Sequence, residues 1–499
     1  MVTSNALHPN ALHPNAPRSN ALHPSAASGG FLYEHLADEL GQAIDRGALR
    51  AGDRLPSVRR LAQERSVSVS TVLEAYLQLE NAGLIEVRPK SGHFVRRRAA
   101  LTAEPRTPRI AQRPSRVSVT DAYTKVLEAM RDPELVPFGC ATIDPSYLPM
   151  AQLNRIVAQM TREMTTLGAR YEAAPGLPTL RRQVARRAVE FGVALSEHDL
   201  CTTIGATEAI MLALRAVAKP GDIIAVESPA YFGVLQQIEA LGLRALEIPA
   251  HPRTGLDVSA FEEMIRAQPV RALFVTPTVS NPLGGIMPED ERERLVKITR
   301  RADIPIIEDD VYGELVFDGS RPRPLRSFAG ASEDSHVLLV GSVSKTLAPG
   351  YRVGWIAGGR YHDQIVRLKF SQSLACPPLL GMAIAEFLSS GGYDRHLRRL
   401  RTAVSGNVER YREAIAHEFP DGTRVSCPRG GFVLWVELPP GADALALHDT
   451  ALRRGIVIAP GPIFSARQRF SNFIRISAGT PWDDRIESAI KTLARLVAK

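Results

Sequence analysis

A lysine, two serines and an arginine lie close together in the segment 341–355. The amine of Lys345 can condense with an aldehyde if its surroundings keep it unprotonated for enough of the time. The hydroxyls of Ser342 and Ser344 and the planar guanidinium of Arg352 are suited to a phosphate. The segment therefore predicts a site for a ligand with both an aldehyde and a phosphate, and the simpler alternative is a basic loop with a surface lysine.

Apolar patterning places this lysine on a loop at the end of a buried strand. Residues 336–340 form a mostly apolar run, and the Pro349-Gly350 pair precedes a second such run at 353–357. The pattern predicts two strands joined by a turn. Open α/β sheets bind ligands at the carboxyl ends of their strands, so the loop is well placed for a reactive lysine.

Further side chains upstream supply complementary chemistry, and each follows a predicted strand. Asp309 ends a short β-branched run, and Tyr312 follows three residues later. This spacing fits a carboxylate that keeps a pyridine nitrogen protonated and a phenol near the ring oxygen, and a protonated ring is an electron sink. Asn281 is placed to reach the phenolic oxygen of the same ring, and Tyr231 is placed to stack on its face.

A predicted helix N-terminus completes the site. An Ala/Leu-rich segment begins at Gly205, so the backbone N–H groups of Ala206 and Thr207 can hold a phosphate. Taken singly, Asp309 could cap a strand and Asn281 could serve a turn. Taken together with the lysine segment, these residues predict a pyridoxal 5'-phosphate site in which the lysine is bound to the cofactor.

Residues 120–499 resemble the class I/II aminotransferase domain of pyridoxal phosphate enzymes, through the motifs described above. The resemblance implies an α/β fold of the fold type I class, with a large and a small domain, assembled as a homodimer. Tyr171 resembles the tyrosine that such dimers send to the phosphate site of the partner subunit. Arg475 lies where the family binds the α-carboxylate of its substrate, a bidentate task suited to arginine. It could instead be an edge-strand residue that faces water.

Residues 31–98 show a different pattern. Helical spacing with start and stop signals predicts helices over 31–44, 58–64 and 72–82, and residues 84–95 read as a β-ribbon. Two short helices, a turn and a ribbon form a winged helix-turn-helix. The segment resembles the GntR-type DNA-binding domain.

This second resemblance implies contacts with operator DNA through the start of the last helix and through the wing. The residues predicted to contact DNA are Arg59, Ser68, Ser70, Thr71, Lys90 and His93. Many relatives carry an arginine where this chain has Val69, so base readout is expected to rest more on apolar contact and DNA shape. A protein-interaction module is the alternative, but the first 118 residues carry +6 of the net charge of +8, which favours DNA.

The remaining segments and the composition limit the domain organisation, the kinds of cross-link or metal site, and the location expected for the protein. Residues 1–30 repeat the pentad Asn-Ala-Leu-His-Pro and predict a low-complexity disordered tail. Residues 99–119 are rich in Pro, Ala and Arg and predict a mobile linker that could also touch phosphates. The 4 cysteines are scattered without a CxxC pair, so neither a disulfide framework nor a metal site is indicated. No apolar run approaches a membrane span and no signal-sequence pattern is evident, so the expected location is the cytoplasm.

A winged domain joined to an aminotransferase-like domain resembles the MocR/GabR family of bacterial regulators. The resemblance implies a transcriptional regulator in which pyridoxal phosphate forms part of a sensor for an amine or amino acid. The alternative is a working aminotransferase with an accessory DNA-binding domain, because every catalytic part is retained and Lys345 could also move the α-proton. The regulator is favoured, because the combination of the two domains is more specific than either domain alone.

Overall fold

The computed structural model divides into two compact units, Met1–Arg96 and Arg97–Lys499. The residues that the structure describes are 32–46, 48–50, 52–81, 84–88, 91–95, 103–107, 113–117, 121–129, 131–163, 166, 169–317, 321–330 and 333–498. The predicted tail at 1–30 and the predicted wing residue Lys90 lie outside these ranges.

The first unit consists of three helices and a β-ribbon. Its elements are α1 (Leu32–Asp45), α2 (Val58–Arg65), α3 (Val69–Asn81), β1 (Ile85–Arg88) and β2 (Gly92–Val95). The two strands are antiparallel. The buried core includes Leu36, Leu40, Leu61, Val72, Tyr76 and Leu79. This arrangement confirms the predicted winged helix-turn-helix.

Helix α3 begins at Val69, earlier than the predicted start at Val72. The cause is a cap, because the hydroxyl of Ser68 accepts a hydrogen bond from the backbone N–H of Thr71 (3.0 Å). Residues 69–71 therefore form the first helical turn. The hydroxyl residues predicted to contact DNA lie at the start of this helix.

The second unit contains a large sheet that, within the described residues, has nine strands. They are β3 (Ser115–Arg116), β4 (Leu200–Ile204), β5 (Ile223–Ser228), β6 (Arg244–His251), β7 (Gly255–Leu256), β8 (Val270–Val275), β9 (Ile306–Asp309), β10 (Val337–Ser342) and β11 (Val353–Ala357). The order is β3-β6-β5-β8-β9-β10-β11-β4, with β7 paired to β6. Strands β6, β5, β8, β9 and β10 are parallel, whereas β11 is antiparallel to both of its neighbours.

Helices cover both faces of this sheet, so its central strands are apolar on both sides. Along β5, Ile224 and Val226 belong to one buried cluster, while Ile223 and Ala225 belong to another. The helices of the second unit, in chain order, are α4 (Asp121–Ala129), α5 (Met150–Glu163), α6 (Pro178–Glu190), α7 (Gly205–Val217), α8 (Phe232–Ala240), α9 (Val258–Ala267), α10 (Glu289–Arg301), α11 (His362–Ser373), α12 (Pro378–Ser389), α13 (Gly392–Glu418), α14 (Ala444–Leu452) and α15 (Asp484–Val497), of which the last three pack against the smaller sheet described next.

A smaller antiparallel sheet follows in the C-terminal part of the chain. Its strands are β12 (Arg424–Val425), β13 (Val433–Glu437), β14 (Ala459–Pro460) and β15 (Phe473–Ser477), in the order β12-β13-β15-β14. Helices α13, α14 and α15 contribute to the buried cluster beneath it. The two sheets correspond to the predicted large and small domains.

The predicted linker is not free of structure where it is described. The backbone N–H of Arg106 donates to Glu437 of the small sheet (2.8 Å). Glu104 accepts a hydrogen bond from Arg253 (2.5 Å), in the loop between β6 and β7 of the large sheet. Further along, β3 pairs with β6. The prediction of a mobile linker is therefore wrong for residues 103–107 and 113–117, which we call the docked linker.

Candidate functional site

The segments that carry the predicted site residues meet at one end of the large sheet. They follow β4, β5, β8, β9 and β10. Parallel pairing of β9 with β10 places Asp309 opposite Val340, two residues before Ser342. The carboxyl ends of parallel strands form a common ligand-binding edge. The topology thus brings together residues that are far apart in the sequence.

A cavity of about 360 Å³ lies at this edge. It is lined by ten of the residues predicted for the cofactor: Ala206, Thr207, Tyr231, Asn281, Asp309, Tyr312, Ser342, Ser344, Lys345 and Arg352. Their roles stay predictions, but the geometry places them around one space. Two predicted residues do not line it, and these are Tyr171 and Arg475.

The amine of Lys345 lies in the cavity wall and donates to the carbonyl oxygen of Ala141 (2.7 Å). It lies 5.8 Å from the ring centre of Tyr312. Burial, and then the positive charge of Arg475, lower the pKa of Lys345 to about 8, against the opposing effect of Asp309. More of this amine is therefore unprotonated near neutral pH than for an ordinary lysine, as condensation with an aldehyde requires.

Three side chains predicted to hold a pyridine ring can make hydrogen bonds beyond those they form with the described residues. Asp309 is buried, which raises its pKa to about 7, and it accepts one hydrogen bond, from the backbone N–H of Val311 (3.3 Å). The buried hydroxyl of Tyr312 has no hydrogen-bond partner among the described residues. Asn281 accepts from Arg475 through its Oδ1 (3.1 Å), so its amide nitrogen remains available as a donor.

The phosphate side of the predicted site is formed by a helix start and a cluster of donors. Helix α7 has no side-chain cap, so its first N–H groups, including those of Ala206 and Thr207, are not satisfied by a capping side chain. The hydroxyls of Ser342 and Ser344 lie 2.9 Å apart. Arg352 donates to the Ser344 hydroxyl (3.3 Å). This combination of donors and positive charge suits a phosphate.

Close backbone approach requires glycine at the start of α7. Gly205 has a φ of +74°, and a Cβ at this position would lie 2.3 Å from the Nη2 of Arg352. Arg352 itself adopts a left-handed backbone conformation, with a φ of 53°. Only glycine fits at residue 205 without displacing the guanidinium.

Buried polar residues that the sequence analysis did not identify hold this helix start in place. Glu208 accepts the backbone N–H of Ile204 (2.7 Å) and forms a buried ion pair with Lys369 (2.8 Å). Gln237 donates to the carbonyl oxygen of Thr207 (2.9 Å). The sequence feature that could have revealed Glu208 and Gln237 is the presence of a charged or amide residue within a largely apolar helix. Such residues need partners when buried.

A further unpredicted residue, Arg292, fixes the loop that carries Asn281. Its side chain is fully buried on α10. It donates to the carbonyl oxygens of Met287 (2.8 Å) and Pro277 (2.6 Å) and to the hydroxyl of Thr278 (2.9 Å). Both ends of the loop are therefore attached to one rigid cation, which limits the positions available to Asn281.

Arg475 lies in the middle of β15 and is fully buried, so the alternative of an edge residue facing water is wrong. Its guanidinium donates to Asn281 and to the carbonyl oxygen of Gly139. The guanidinium carbon lies 5.5 Å from the ring centre of Phe232 and 5.2 Å from that of Phe464. Among the described residues no carboxylate pairs with it, and its Nε has no hydrogen-bond partner. Its neighbours Asn281, Gly139 and Phe232 line the cavity, so the cation lies directly behind the cavity wall.

Tyr171 lies away from the cavity of its own chain. Its side chain is 83% exposed, which is unusual for a tyrosine. The nearby backbone of Ala173 forms a bridge with Ala375, so the segment has a defined position. Exposure is compatible with a role at a partner subunit, which stays a prediction.

In the first unit, the described residues predicted to contact DNA are at least partly exposed: Arg59, Ser68, Ser70, Thr71 and His93. The ring of His93 packs against that of Tyr76, with centres 4.6 Å apart. Arg60, the neighbour of Arg59, forms an ion pair with Glu64 (2.7 Å). Arg60 is therefore paired, whereas Arg59 forms no ion pair with the described residues.

Comparison with known proteins identifies the two units. Residues 144–493 match the family Aminotransferase class I and II, and residues 32–95 match the family Bacterial regulatory proteins, gntR family. An uncharacterized HTH-type transcriptional regulator of Escherichia coli, YjiR, is 40% identical over 93% of this chain and 98% of its own length. The chain belongs to the MocR-type regulators. A second such protein of Escherichia coli, YdcR, is 36% identical over 93% of this chain and 98% of its own length.

Solved structures similar to this MocR-type regulator are aminotransferases. LysN, the α-aminoadipate aminotransferase of Thermus thermophilus complexed with N-(5'-phosphopyridoxyl)-L-leucine, gives a TM-score of 0.70 at 28% identity over 77% of this chain and 95% of its own. The kynurenine aminotransferase of Pyrococcus horikoshii in complex with PMP gives a TM-score of 0.70 at 25% identity over 76% of this chain and 95% of its own. The second unit therefore has the fold type I architecture, which implies pyridoxal phosphate. In the described part of the chain, no helix has the length and apolar character needed to cross a membrane.

Proposed function

We propose that this MocR-type regulator binds pyridoxal phosphate covalently through Lys345 and uses the loaded site to sense an amino acid or amine, so that its affinity for operator DNA changes. The observation that carries the proposal is a buried cavity lined by ten of the predicted cofactor residues, in a chain that also has a GntR-type domain. Lys345, Asp309 and Arg475 converge there without full pairing among themselves. Buried ionisable groups cost stability unless something binds them, so a unit that served only as a scaffold would not need them.

The described residues fit the cofactor at each of its polar groups. The uncapped start of α7, with Ser342, Ser344 and Arg352, would hold the phosphate. Asp309 would bind the ring nitrogen, and the unpartnered hydroxyl of Tyr312 would bind the ring oxygen. When bound, pyridoxal phosphate supplies an aldehyde carbon that exchanges amines and a ring that accepts electrons.

The residues of the chain then have separate tasks. Lys345 presents an amine that is partly unprotonated near neutral pH, and the same amine can accept or return a proton. Arg475 has N–H donors beyond those bonded to Asn281 and Gly139, so it can bind an α-carboxylate from its fixed position. The Phe232 ring beside it excludes water from that contact. These groups together select an amino acid over a simple amine.

The docked linker supports a route from the site towards DNA. Its residues bond to both the small and the large sheet. Helix α4 follows it, places Tyr123 in the cavity wall, and joins the small domain through the ion pair of Lys125 with Asp449 (2.7 Å). A ligand that moves the small sheet relative to the large one would therefore also pull on the chain that leads to the first unit.

A homodimer is part of the proposal. The exposed Tyr171 would reach the phosphate site of the partner subunit, so each site would be complete only in the dimer. Two winged domains in one assembly would bind two half-sites on operator DNA. Linked binding of this kind raises affinity through effective concentration without new contacts.

The proposal is tested by measuring amino-acid binding with and without DNA. A panel of amino acids is titrated into the pyridoxal phosphate-loaded protein, first alone and then with a duplex that it binds specifically. If one ligand changes DNA affinity, DNA must change the affinity for that ligand by the same factor. Equal affinities, in a protein shown to bind both, would mean that the second unit is not a sensor for DNA binding.

A working aminotransferase is the second candidate, favoured by the lowered pKa of Lys345 and the retained carboxylate site at Arg475. The relative named 2-aminoadipate transaminase, from Thermus thermophilus, is 28% identical over 74% of this chain. Incubation with an amino acid and a keto acid separates the two functions. Many turnovers at ordinary enzymic rates, without any effect on DNA binding, would favour the enzyme.

A further inference from the structure

Helix α3 of the first unit carries an exposed apolar stripe. The side chains of Val69, Leu73 and Leu77 are 47%, 49% and 51% exposed. Their spacing of four residues places them on one face of the helix. The face that packs into the domain is formed by other residues: Val72, Ala75, Tyr76 and Leu79. The stripe is therefore additional to the core, and the described residues of the first unit leave it about half exposed.

The polar side chains of the same helix are poorly suited to read guanine. Helix α3 contains neither lysine nor arginine, and its charged residues are Glu74 and Glu80. The hydroxyl of Ser68 lies 2.7 Å from that of Ser70 and 2.8 Å from that of Thr71, so these groups are already hydrogen-bonded to one another. The commonest specific base contact, a bidentate arginine or lysine on guanine, cannot come from α3.

The stripe begins where a helix-turn-helix meets base edges. In this motif the N-terminal residues of the second helix lie in the major groove. Val69 is the first residue of α3, and Leu73 follows one turn later. With a rise of 1.5 Å per residue, Leu77 lies about 12 Å further along the axis than Val69. The first two members are thus placed at the bases, and the third lies beyond them.

We infer that Val69 and Leu73 read the 5-methyl groups of thymine in the major groove of the operator. Thymine alone among the standard bases presents a methyl group there, and apolar side chains are its usual contacts. Burying exposed Val and Leu atoms against methyl groups removes apolar surface from water. The inference rests on the proposed DNA binding and adds the base class that the recognition helix selects.

The experiment uses full-length protein loaded with pyridoxal phosphate. Binding sites are first selected from random duplex DNA, and each thymine of the selected site is then replaced singly by deoxyuridine, which removes only the methyl group. At contacted positions we expect three- to fourfold weaker binding, since a buried methyl group is worth about 0.8 kcal/mol. At other thymines the substitution should have no effect.

Variants assign the methyl contacts to residues. In Val69→Ala and Leu73→Ala the ratio of affinities for thymine and deoxyuridine should fall to one at the contacted positions. Leu77→Ala is the matched control, because it removes an equally exposed leucine of the same stripe and should keep the wild-type ratio. Both affinities in the ratio are measured on the same variant, so a general loss of DNA affinity cancels.

The outcomes separate this inference from the proposed function. If no sequence is enriched from random DNA, sequence-specific DNA binding itself fails. If a site is selected but deoxyuridine binds as well as thymine at every position, the methyl readout is overturned while DNA binding stands. A loss of the ratio in Leu77→Ala equal to that in Val69→Ala would also overturn it, because the contact would not be confined to the start of the helix.

Discussion

The cavity and helix α3 of this MocR-type regulator are built in opposite ways. Around the cavity, polar and charged side chains are buried and held by other buried groups, as with Arg475 and Arg292. On helix α3, apolar side chains such as Val69 and Leu73 are exposed. The side chains around the cavity are fixed in position when the chain folds, whereas the exposed side chains of α3 would gain contacts only on binding to DNA, as proposed above.

This difference sets the size of the effects that substitutions should have. Removing a buried, prepositioned group leaves its partners unsatisfied, so function should be lost with little recovery by neighbours. Removing an exposed group leaves no such gap, so the effect should be graded, and it should depend on salt where the group removed is charged. Predictions in the first region are therefore expected to be near all-or-none, and those in the second to be severalfold.

The largest effect is expected for Lys345→Ala. The purified protein should show a visible absorption band from the lysine-linked cofactor, and this band should be absent in the variant because Lys345 supplies the one amine among the described residues that line the cavity. Absorbance is measured after free cofactor is removed by gel filtration. Lys297→Ala, at a lysine paired with Glu293 on the surface, is the control and should keep the band. Persistence of the band without Lys345 would show that the lysine assignment is wrong.

The second prediction concerns pH. The amine must be unprotonated to react, so the rate of covalent cofactor loading should rise with pH and level off above the pKa of about 8. For a single titration, the unprotonated fraction changes roughly 50-fold between pH 6 and pH 8. The rate is followed by stopped-flow absorbance. A rate that still rises tenfold per unit up to pH 10 would instead indicate a lysine with an ordinary pKa.

The third prediction is made for the exposed region. Arg59→Ala should weaken specific DNA binding by about 1–3 kcal/mol if the side chain reaches a base edge, and should relax preference at one operator position. If it reaches only a phosphate, the dependence of affinity on salt should become shallower by about one unit of slope. Arg60→Ala is the adjacent control, and its smaller effect is expected because Arg60 is already paired with Glu64. Wild-type behaviour of Arg59→Ala on both specific and random DNA would exclude Arg59 from the interface.

The smallest effect is expected at the docked linker. Glu104→Arg should break the pair with Arg253 and make opening of residues 103–107 up to about fivefold more frequent, since exposed ion pairs contribute about 0.2–1 kcal/mol. Hydrogen exchange at the amides of Arg106 and Val425, which bond across this contact, measures the opening. Adding Arg253→Glu should restore protection. Unchanged exchange in the single variant would mean that the ion pair does not hold the linker.

The positions that could be predicted from the sequence are those governed by local pattern. Lys345 and Asp309 follow runs of apolar residues, and parallel strands place their ends at one edge, so the cavity could be anticipated. The start of α3 was misplaced because the hydroxyls of Ser68, Ser70 and Thr71 compete as caps, and only the folded geometry shows that Ser68 is used. The winged domain as a whole was evident from its turns and helices.

The positions that could not be predicted depend on contacts between distant parts of the chain. The carbonyl oxygen of Ala141 that holds Lys345 belongs to the backbone, so no side chain signals it. In the sequence, Arg292 resembles any other arginine of a charged helix. Its role depends on the hydrogen bonds that it donates to the loop carrying Asn281, which only the fold brings within reach. The docked linker has a composition typical of unstructured chain. It is held by strand pairing and by backbone hydrogen bonds, which use the main chain and therefore leave little trace in the composition.

The unpaired state of Arg475 has a consequence for heat resistance. A buried cation without an anion lowers the free energy of unfolding, and this deficit remains until a carboxylate arrives. A ligand that binds only the folded protein raises the melting temperature in proportion to the logarithm of its concentration above Kd. If the proposed function holds, melting curves recorded across a panel of amino acids will identify the effector before any operator is known.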